Sequence, residues 1–121
     1  MKTYRFVPAE YKGDGKDESL KEFEGHVDLR IPTFDERMGY MQDIGVKFND
    51  KGETEATSDF VGQVRKMVAV SESHYIAVAL RHKLSDTSYK TFEDLSMDQT
   101  CDRVLTIVGG LIVRGLGPSK H

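Results

Sequence analysis

The chain has 121 residues, of which 38% are hydrophobic and 31% charged, a size that predicts one globular domain. Such a composition is too apolar for a disordered tail and too polar for a membrane protein. Seventeen basic and 20 acidic residues give a net charge of −3, so the chain lacks the positive field that drives nucleic-acid binding. No apolar run is long enough for a signal peptide or a membrane span, which predicts a soluble intracellular protein.

The N-terminal quarter of the chain predicts an antiparallel β-hairpin. Apolar and polar residues alternate in residues 2–8 and again in residues 22–31, which is the period of a strand. The polar residues 12–19 between them contain two glycines and are expected to form the connecting loop. This loop lacks the ligand spacing of a calcium site, and Gly13-x-Gly15 lacks the later glycine of a dinucleotide-binding loop.

Pro32 separates the hairpin from a segment with helical periodicity. Thr33-x-x-Glu36 has the pattern of a capping box, in which each side chain accepts a hydrogen bond from the backbone amide of the other residue. Apolar or small residues then recur at helical spacing over residues 34–45, so one helix face is expected to be apolar or small. The residues of this face are Phe34, Met38, Met41 and Gly45. A turn is expected at residues 49–52.

A second helix is predicted after three candidate N-cap residues, Thr57, Ser58 and Asp59. Its apolar stripe consists of Phe60, Val64, Met67, Val68 and Ser71. The run that follows, His74–Leu80, fits either a continuation of this helix or a short strand buried on both faces. We favour a strand that pairs with the N-terminal hairpin.

A last helix is predicted near the C-terminus. Thr91–Leu95 indicates a short helical turn, and Ser96-x-x-Gln99 has the pattern of a second capping box. Gly115 suits the left-handed position after the helix, where Leu116 would pack against Leu111. The apolar face of this helix is Met97, Cys101, Val104, Leu105, Val108, Leu111 and Ile112.

These elements together predict an α+β fold, a mainly helical small domain with an N-terminal antiparallel β-hairpin. We expect the domain to comprise residues 1–116 and a short flexible tail to comprise residues 117–121.

Candidate catalytic and metal-binding residues are few. Cys101 with His74 or His82 is the best candidate for a nucleophile and base, but Cys101 lies on the apolar helix stripe, where a small buried residue is expected. The spacing of His74 and His82 fits no usual metal motif, so the histidines are expected at the surface or at sheet edges. With one cysteine, an internal disulfide is impossible. We therefore expect no catalytic residue, no metal and no cofactor.

Gly109-Gly110 conflicts with the predicted last helix, because two glycines cost about 1–2 kcal/mol relative to alanine in a helix interior. One explanation is the close approach of a neighbouring helix within the fold. The others are close approach of another subunit, or a kink that directs the C-terminal tail. The modest core expected of a chain this short also favours self-association.

Three stretches resemble the tail assembly chaperones of siphovirus-type (long-tailed) bacteriophages. The junction Val27–Arg37 resembles the entry into the first helix of such proteins. Thr91–Leu95 resembles their short acidic turn before the last helix. Val104–Lys120 resembles their usual ending, an apolar helix followed by a short polar tail. Together these stretches cover about a third of the 121 residues.

The resemblance implies a non-enzymatic protein of the host cytoplasm that binds the tape-measure protein and promotes assembly of tail-tube protein around it. Such proteins are typically made in two forms, the longer one arising by ribosomal frameshifting, and the ending of this chain is compatible with the shorter form. Methionines offer adaptable apolar contacts for such a client. The candidate interaction residues are Met38, Met41, Met67, Gly109, Gly110, Leu111 and Leu116.

Two other classes fit the same size and charge. One is a small virion structural protein of the head–tail connector or tail-completion type. The other is a small enzyme subunit, whose best candidate residues are the cysteine and histidines discussed above.

Overall fold

A four-stranded antiparallel sheet forms one layer of the fold. The computed structural model describes residues 2–12, 18–45, 50–51 and 60–115. Within these ranges the strands are β1 (Thr3–Phe6), β2 (Phe23–Arg30), β3 (Tyr75–His82) and β4 (Thr87–Tyr89), and they lie side by side in chain order.

The predicted hairpin is confirmed by the pairing of β1 with β2, which runs from Thr3 opposite Arg30 to Phe6 opposite Val27. The strand that pairs with the hairpin is also confirmed, because β3 pairs with β2 along most of its length. It begins at Tyr75 rather than at His74, and only one of its faces is buried, whereas burial of both faces was expected. Alternate residues of β2 and β3 are buried. One face of the sheet is therefore apolar, as expected when a helical layer covers it.

The described residues also form four α-helices: α1 (Phe34–Ile44), α2 (Phe60–Ser71), α3 (Phe92–Ser96) and α4 (Asp102–Arg114). The α+β class is thus confirmed. The buried face of α4 packs with the sheet in one core, which includes Val27, Leu29, Val78, Leu80, Val104, Val108 and Ile112. Helix α2 packs in turn on α4.

The opposite face of the sheet carries ion pairs between neighbouring strands. Arg5 of β1 contacts Asp28 of β2 at 2.8 Å, and Arg81 of β3 contacts Glu24 of β2 at 2.7 Å. These side chains are largely or partly exposed. Charged cross-strand pairs are typical of a sheet face in contact with water.

Two predicted helix starts are confirmed by their hydrogen bonds. At α1, the Glu36 amide donates to the Thr33 hydroxyl at 3.1 Å, and the Thr33 amide donates to the Glu36 carboxylate at 2.9 Å. At α3, the Asp94 amide donates to the Thr91 hydroxyl at 3.0 Å. The capping box thus fixes where the chain turns from β2 into α1.

The second predicted capping box is wrong. Ser96 is the last residue of α3, and its hydroxyl donates to the Glu93 carbonyl at 2.8 Å. Asp98 caps the next turn instead, accepting from the Thr100 amide at 2.9 Å. Helix α4 therefore begins later than predicted, and Met97 lies outside its apolar face with 80% of its surface exposed.

The C-terminal end of α4 agrees in part with the prediction. Gly115 follows the helix with a positive φ of 107°, and its amide donates to the Leu111 carbonyl at 2.8 Å. Its ψ of 128° is extended, so the backbone leaves the left-handed helical region expected there. Leu116, the tail at 117–121 and the caps proposed at 57–59 lie outside the described residues.

The apolar face predicted for α1 is not the face that the fold buries. Ile44 is its buried residue and Tyr40 packs against the core, whereas Phe34 is 63% and Met38 38% exposed. Gly45 is the left-handed C-cap, with φ 82°, and does not belong to an apolar stripe. The spacing fits two stripes equally well, and only contacts with the sheet select the one that is buried.

We expect Thr33→Ala to lower the free energy of unfolding by about 0.5–2 kcal/mol, because the substitution removes one half of the capping box. Ser96→Ala is the matched control, and we expect it to change stability by less than about 0.5 kcal/mol, since the exposed Ser96 hydroxyl lies at the end of a helix rather than at a start. Urea denaturation of both variants tests this. Equal losses would contradict the assignment of the caps.

Candidate protein-interaction groove

A groove of about 380 Å³, here named the α2–α4 groove, runs between α2 and α4. Side chains at i, i+4 and i+7 of α2 form one wall, and a continuous face of α4 forms the other. Tyr11, from the segment after β1, also contributes to it. The lining residues are Tyr11, Phe60, Val64, Met67, Arg103, Thr106, Ile107, Gly110, Leu111 and Arg114.

Gly109 allows α2 and α4 to pack closely beneath the groove. A Cβ atom at position 109 would lie 3.1 Å from the Met67 carbonyl carbon and 3.1 Å from the Val68 amide nitrogen. These are backbone atoms, so they cannot move aside as a flexible side chain can. Of the explanations for the Gly-Gly pair, close approach of a helix within the fold is therefore the one that applies at Gly109.

Gly110 has a different environment from its neighbour. A Cβ atom there would lie 2.8 Å from Nη2 of Arg114, at the tip of a flexible side chain. Gly110 is buried but lines the groove, and because it has no side chain, it leaves the groove deeper at this position.

The predicted interaction residues divide into three groups. Met67, Gly110 and Leu111 line the groove, and Gly109 supports it from below. Met38 and Met41 lie on α1, away from the groove lining. Leu116 lies outside the described residues.

Several groove residues were not among the predicted interaction residues. Phe60 and Val64 belong to the apolar stripe predicted for α2. The sequence did not show that this stripe stays accessible in the groove instead of being buried in the core, although Phe60 is 68% exposed. Arg103 and Arg114 carried no signal by themselves, since single arginines on a helix usually only face solvent. Tyr11 is brought to the groove by the tertiary fold alone.

The groove is locally basic in a chain whose net charge is −3. Its lining includes Arg103 in the first turn of α4 and Arg114 at the last residue of α4, and among the described residues that line it there is no Asp or Glu. Its remaining side chains are mostly apolar. An apolar groove between two helices, with positive charge at its ends, suits a helical partner that carries acidic residues beside an apolar stripe.

A polar cluster holds α1 against the sheet. Arg30, at the end of β2, donates two hydrogen bonds of 2.9 Å to the Glu36 carboxylate. His74, just before β3, lies 2.9 Å by Nδ1 from the Arg30 carbonyl and 2.6 Å by Nε2 from the Tyr40 hydroxyl. Because a carbonyl only accepts, Nδ1 carries the hydrogen and Nε2 accepts from Tyr40.

The expectation that the histidines lie at the surface is wrong for His74 and His82, which are buried. Both can be buried because polar groups meet their ring nitrogens, as buried polar groups require. His82 contacts the Glu22 carboxylate at 3.0 Å and the Ser85 hydroxyl at 2.9 Å.

Electrostatics within the cluster follow from burial and pairing. Desolvation lowers the pKa of His74, which favours the neutral ring. The hydrogen bonds from Arg30 and then from the Thr33 amide lower the pKa of Glu36 to about 2. A neutral histidine and an ionised carboxylate are therefore the stable states at neutral pH.

Cys101 lacks the setting of a nucleophile. Its side chain is fully buried, and burial raises its thiol pKa to about 11, whereas a reactive cysteine needs a lowered pKa. The ring nitrogens of His74 and His82 are engaged with other partners. Among residues 2–12, 18–45, 50–51 and 60–115, no group of three His, Cys, Asp or Glu side chains is placed to hold a metal ion.

Comparisons of this chain with models of known protein families, with characterised proteins and with solved structures find no match. In the part of the chain that the structure describes, no helix has both the length and the apolar character needed to cross a bilayer.

We expect Gly109→Leu to destabilise the fold by about 1–3 kcal/mol or more, because the new side chain meets the backbone of α2. In contrast, Gly110→Ala should leave stability unchanged or raise it by up to about 1 kcal/mol, since Arg114 can move aside and alanine favours the helix. Thermal unfolding of both variants tests this. A similar loss of thermal stability in both variants would contradict the close packing of the α2 backbone against Gly109.

We expect the free energy of unfolding to fall as the pH drops below about 6.5, the ordinary pKa of histidine. The pKa of His74 is lowered in the folded state, so the unfolded chain takes up the proton first. His74→Asn should reduce this pH dependence, whereas His26→Asn, a substitution of a half-buried histidine outside the cluster, should retain it. Urea titrations between about pH 8 and pH 5 measure both. An unchanged slope in His74→Asn would contradict the assignment.

Proposed function

We propose that this protein is a non-enzymatic assembly chaperone that holds an α-helical client in the α2–α4 groove. The observation that carries this proposal is the groove itself, with apolar side chains at helical spacing on both walls. Helix-in-groove recognition uses this kind of surface, and anchors at i, i+3, i+4 and i+7 of the client fill it. Met67 adds an adaptable side chain in the wall, which suits a client of variable sequence.

The client class comes from the resemblance to tail assembly chaperones of siphovirus-type phages. On that basis the client is the long, helical tape-measure protein, the second partner is the tail-tube protein, and the place of action is the host cytoplasm. The described residues of the three resembling stretches fall on the junction from β2 into α1, on α3 and on α4 with Gly115. The groove supports the proposal because a tape-measure protein offers long amphipathic helices to such a surface.

The chemistry of the described residues also favours binding over catalysis. The groove offers arginines and apolar side chains, and Cys101 lies outside its lining in the core. A thiol with a pKa raised to about 11 is a poor nucleophile at neutral pH.

We expect Val64→Glu to weaken binding of a tape-measure fragment at least tenfold, which corresponds to about 1.4 kcal/mol. The substitution places a carboxylate on the apolar wall of the groove. Leu84→Glu is the matched control, because Leu84 is 76% exposed in the β3–β4 turn, outside the groove lining. Co-purification and calorimetry with the fragment measure the difference.

Equal binding by both variants, or none by the unaltered protein, would contradict the proposal. Mass spectrometry of purified particles gives an independent check, since an assembly chaperone is absent from them and a virion structural protein is present. Finding the chain in particles would favour the structural class.

A further inference from the structure

Arg114 completes the face of α4 that lines the α2–α4 groove. It follows Gly110 and Leu111 on that face by about one helical turn. Nη2 of Arg114 lies 2.8 Å from the position that a Cβ atom of Gly110 would take. Long side chains on a helix lean toward its N-terminus, which brings the guanidinium back over position 110. The absence of a side chain at Gly110 therefore provides the space in which this guanidinium lies.

The charge of Arg114 is available to a partner. The residue is exposed, and no Asp or Glu whose position the structure describes forms an ion pair with it. A second guanidinium lies near the same end of α4, since Nη1 of Arg37 is 3.6 Å from the position of a Cβ atom at Gly115. That group also covers the Phe34 ring. Positive charge is thus concentrated where α4 ends.

The setting of Arg114 favours a carboxylate as the group that it binds. The planar fork of N–H donors on a guanidinium matches the two oxygens of a carboxylate. Ile107 and Leu111 precede Arg114 on the same face of α4, so a helix that covers them excludes water from the neighbouring contact. A charge-assisted hydrogen bond is stronger where water is excluded. A helix with a Glu or Asp about one turn from its apolar anchors therefore fits both the apolar walls and the guanidinium.

We propose that Arg114 selects the client by binding a Glu or Asp side chain of the docked helix, and that Gly110 positions the Arg114 guanidinium for this contact. The inference rests on the proposed function, because it names the chemistry of the client helix in the same groove. A charged contact at one end of an apolar groove also fixes the register of the helix along it.

Replacement of Arg114 by Glu tests the contact. Arg65→Glu is the matched control, because Arg65 is exposed on α2 outside the groove lining and the change in charge is the same. We expect Arg114→Glu to weaken binding of a tape-measure fragment about tenfold or more, and Arg65→Glu to change it less than about twofold. Calorimetry measures both affinities, and circular dichroism verifies that both variants are folded.

Replacement of Gly110 by Ala tests the positioning. The added methyl group displaces the guanidinium, so Gly110→Ala should weaken binding of the fragment although it leaves the fold stable. This loss should disappear in an Arg114→Gln background, because the group that Gly110 positions is then absent. An equal loss of affinity in both backgrounds would show that the methyl group simply obstructs the groove, and it would contradict the proposal.

An exchange of charges identifies the carboxylate of the client. Fragments are made in which one Glu or Asp at a time is replaced by Lys, and one of them should bind Arg114→Glu more tightly than the unaltered fragment does. The absence of such a fragment, or equal affinities of Arg114→Glu and Arg65→Glu, would overturn the proposal. The chaperone function is judged separately, by binding to the unaltered protein and its loss in Val64→Glu, so failure of this contact is distinguishable from failure of that function.

Discussion

The contact of the α2 backbone with α4 at Gly109 is the constraint on which the helical layer depends. Helix α4 packs its apolar face on the sheet, and α2 rests on α4 where no side chain intervenes. This close approach orders α2 even though Ser71 is its one fully buried residue among 60–71. Phe60, Val64 and Met67 of α2 are left to line the groove, and the close contact requires a helix-weakening glycine at position 109.

The polar cluster at His74 determines which face of α1 is turned inward. Arg30 links the end of β2 to Glu36, and His74 links the start of β3 to Tyr40. These bonds fix the rotation of α1 about its axis, because Glu36 and Tyr40 lie one turn apart on the same side. The stripe that begins at Phe34 is then directed away from the core. The network that holds α1 against the sheet therefore also leaves Phe34 and Met38 exposed.

Local features were the part of the fold that the sequence could predict. The period of two in the hairpin, the Thr33 cap and the Thr91 turn depend on residues close together in the chain, and all are confirmed. At Ser96 the same kind of pattern failed, because Asp98 offers a competing cap two residues later.

The groove could be predicted only in part. Met67 and Gly110 were among the candidate residues because methionine and glycine stand out in a helix, and Leu111 was among them through its expected place at the end of the last helix. The burial of His74 and its bond to α1 depend on partners far away in sequence, since His74 lies 34 residues from Tyr40 and 44 residues from Arg30. Periodicity holds no information about such contacts.

Methyl NMR of methionine-labelled protein during titration with a tape-measure fragment tests most directly whether the α2–α4 groove binds a helix. Met67 lies in the groove wall, whereas Met97 is 80% exposed and lies outside the groove lining. Binding in the groove predicts that the Met67 methyl signal shifts in proportion to occupancy while the Met97 signal stays in place. A fragment that binds and leaves the Met67 signal unchanged would contradict it.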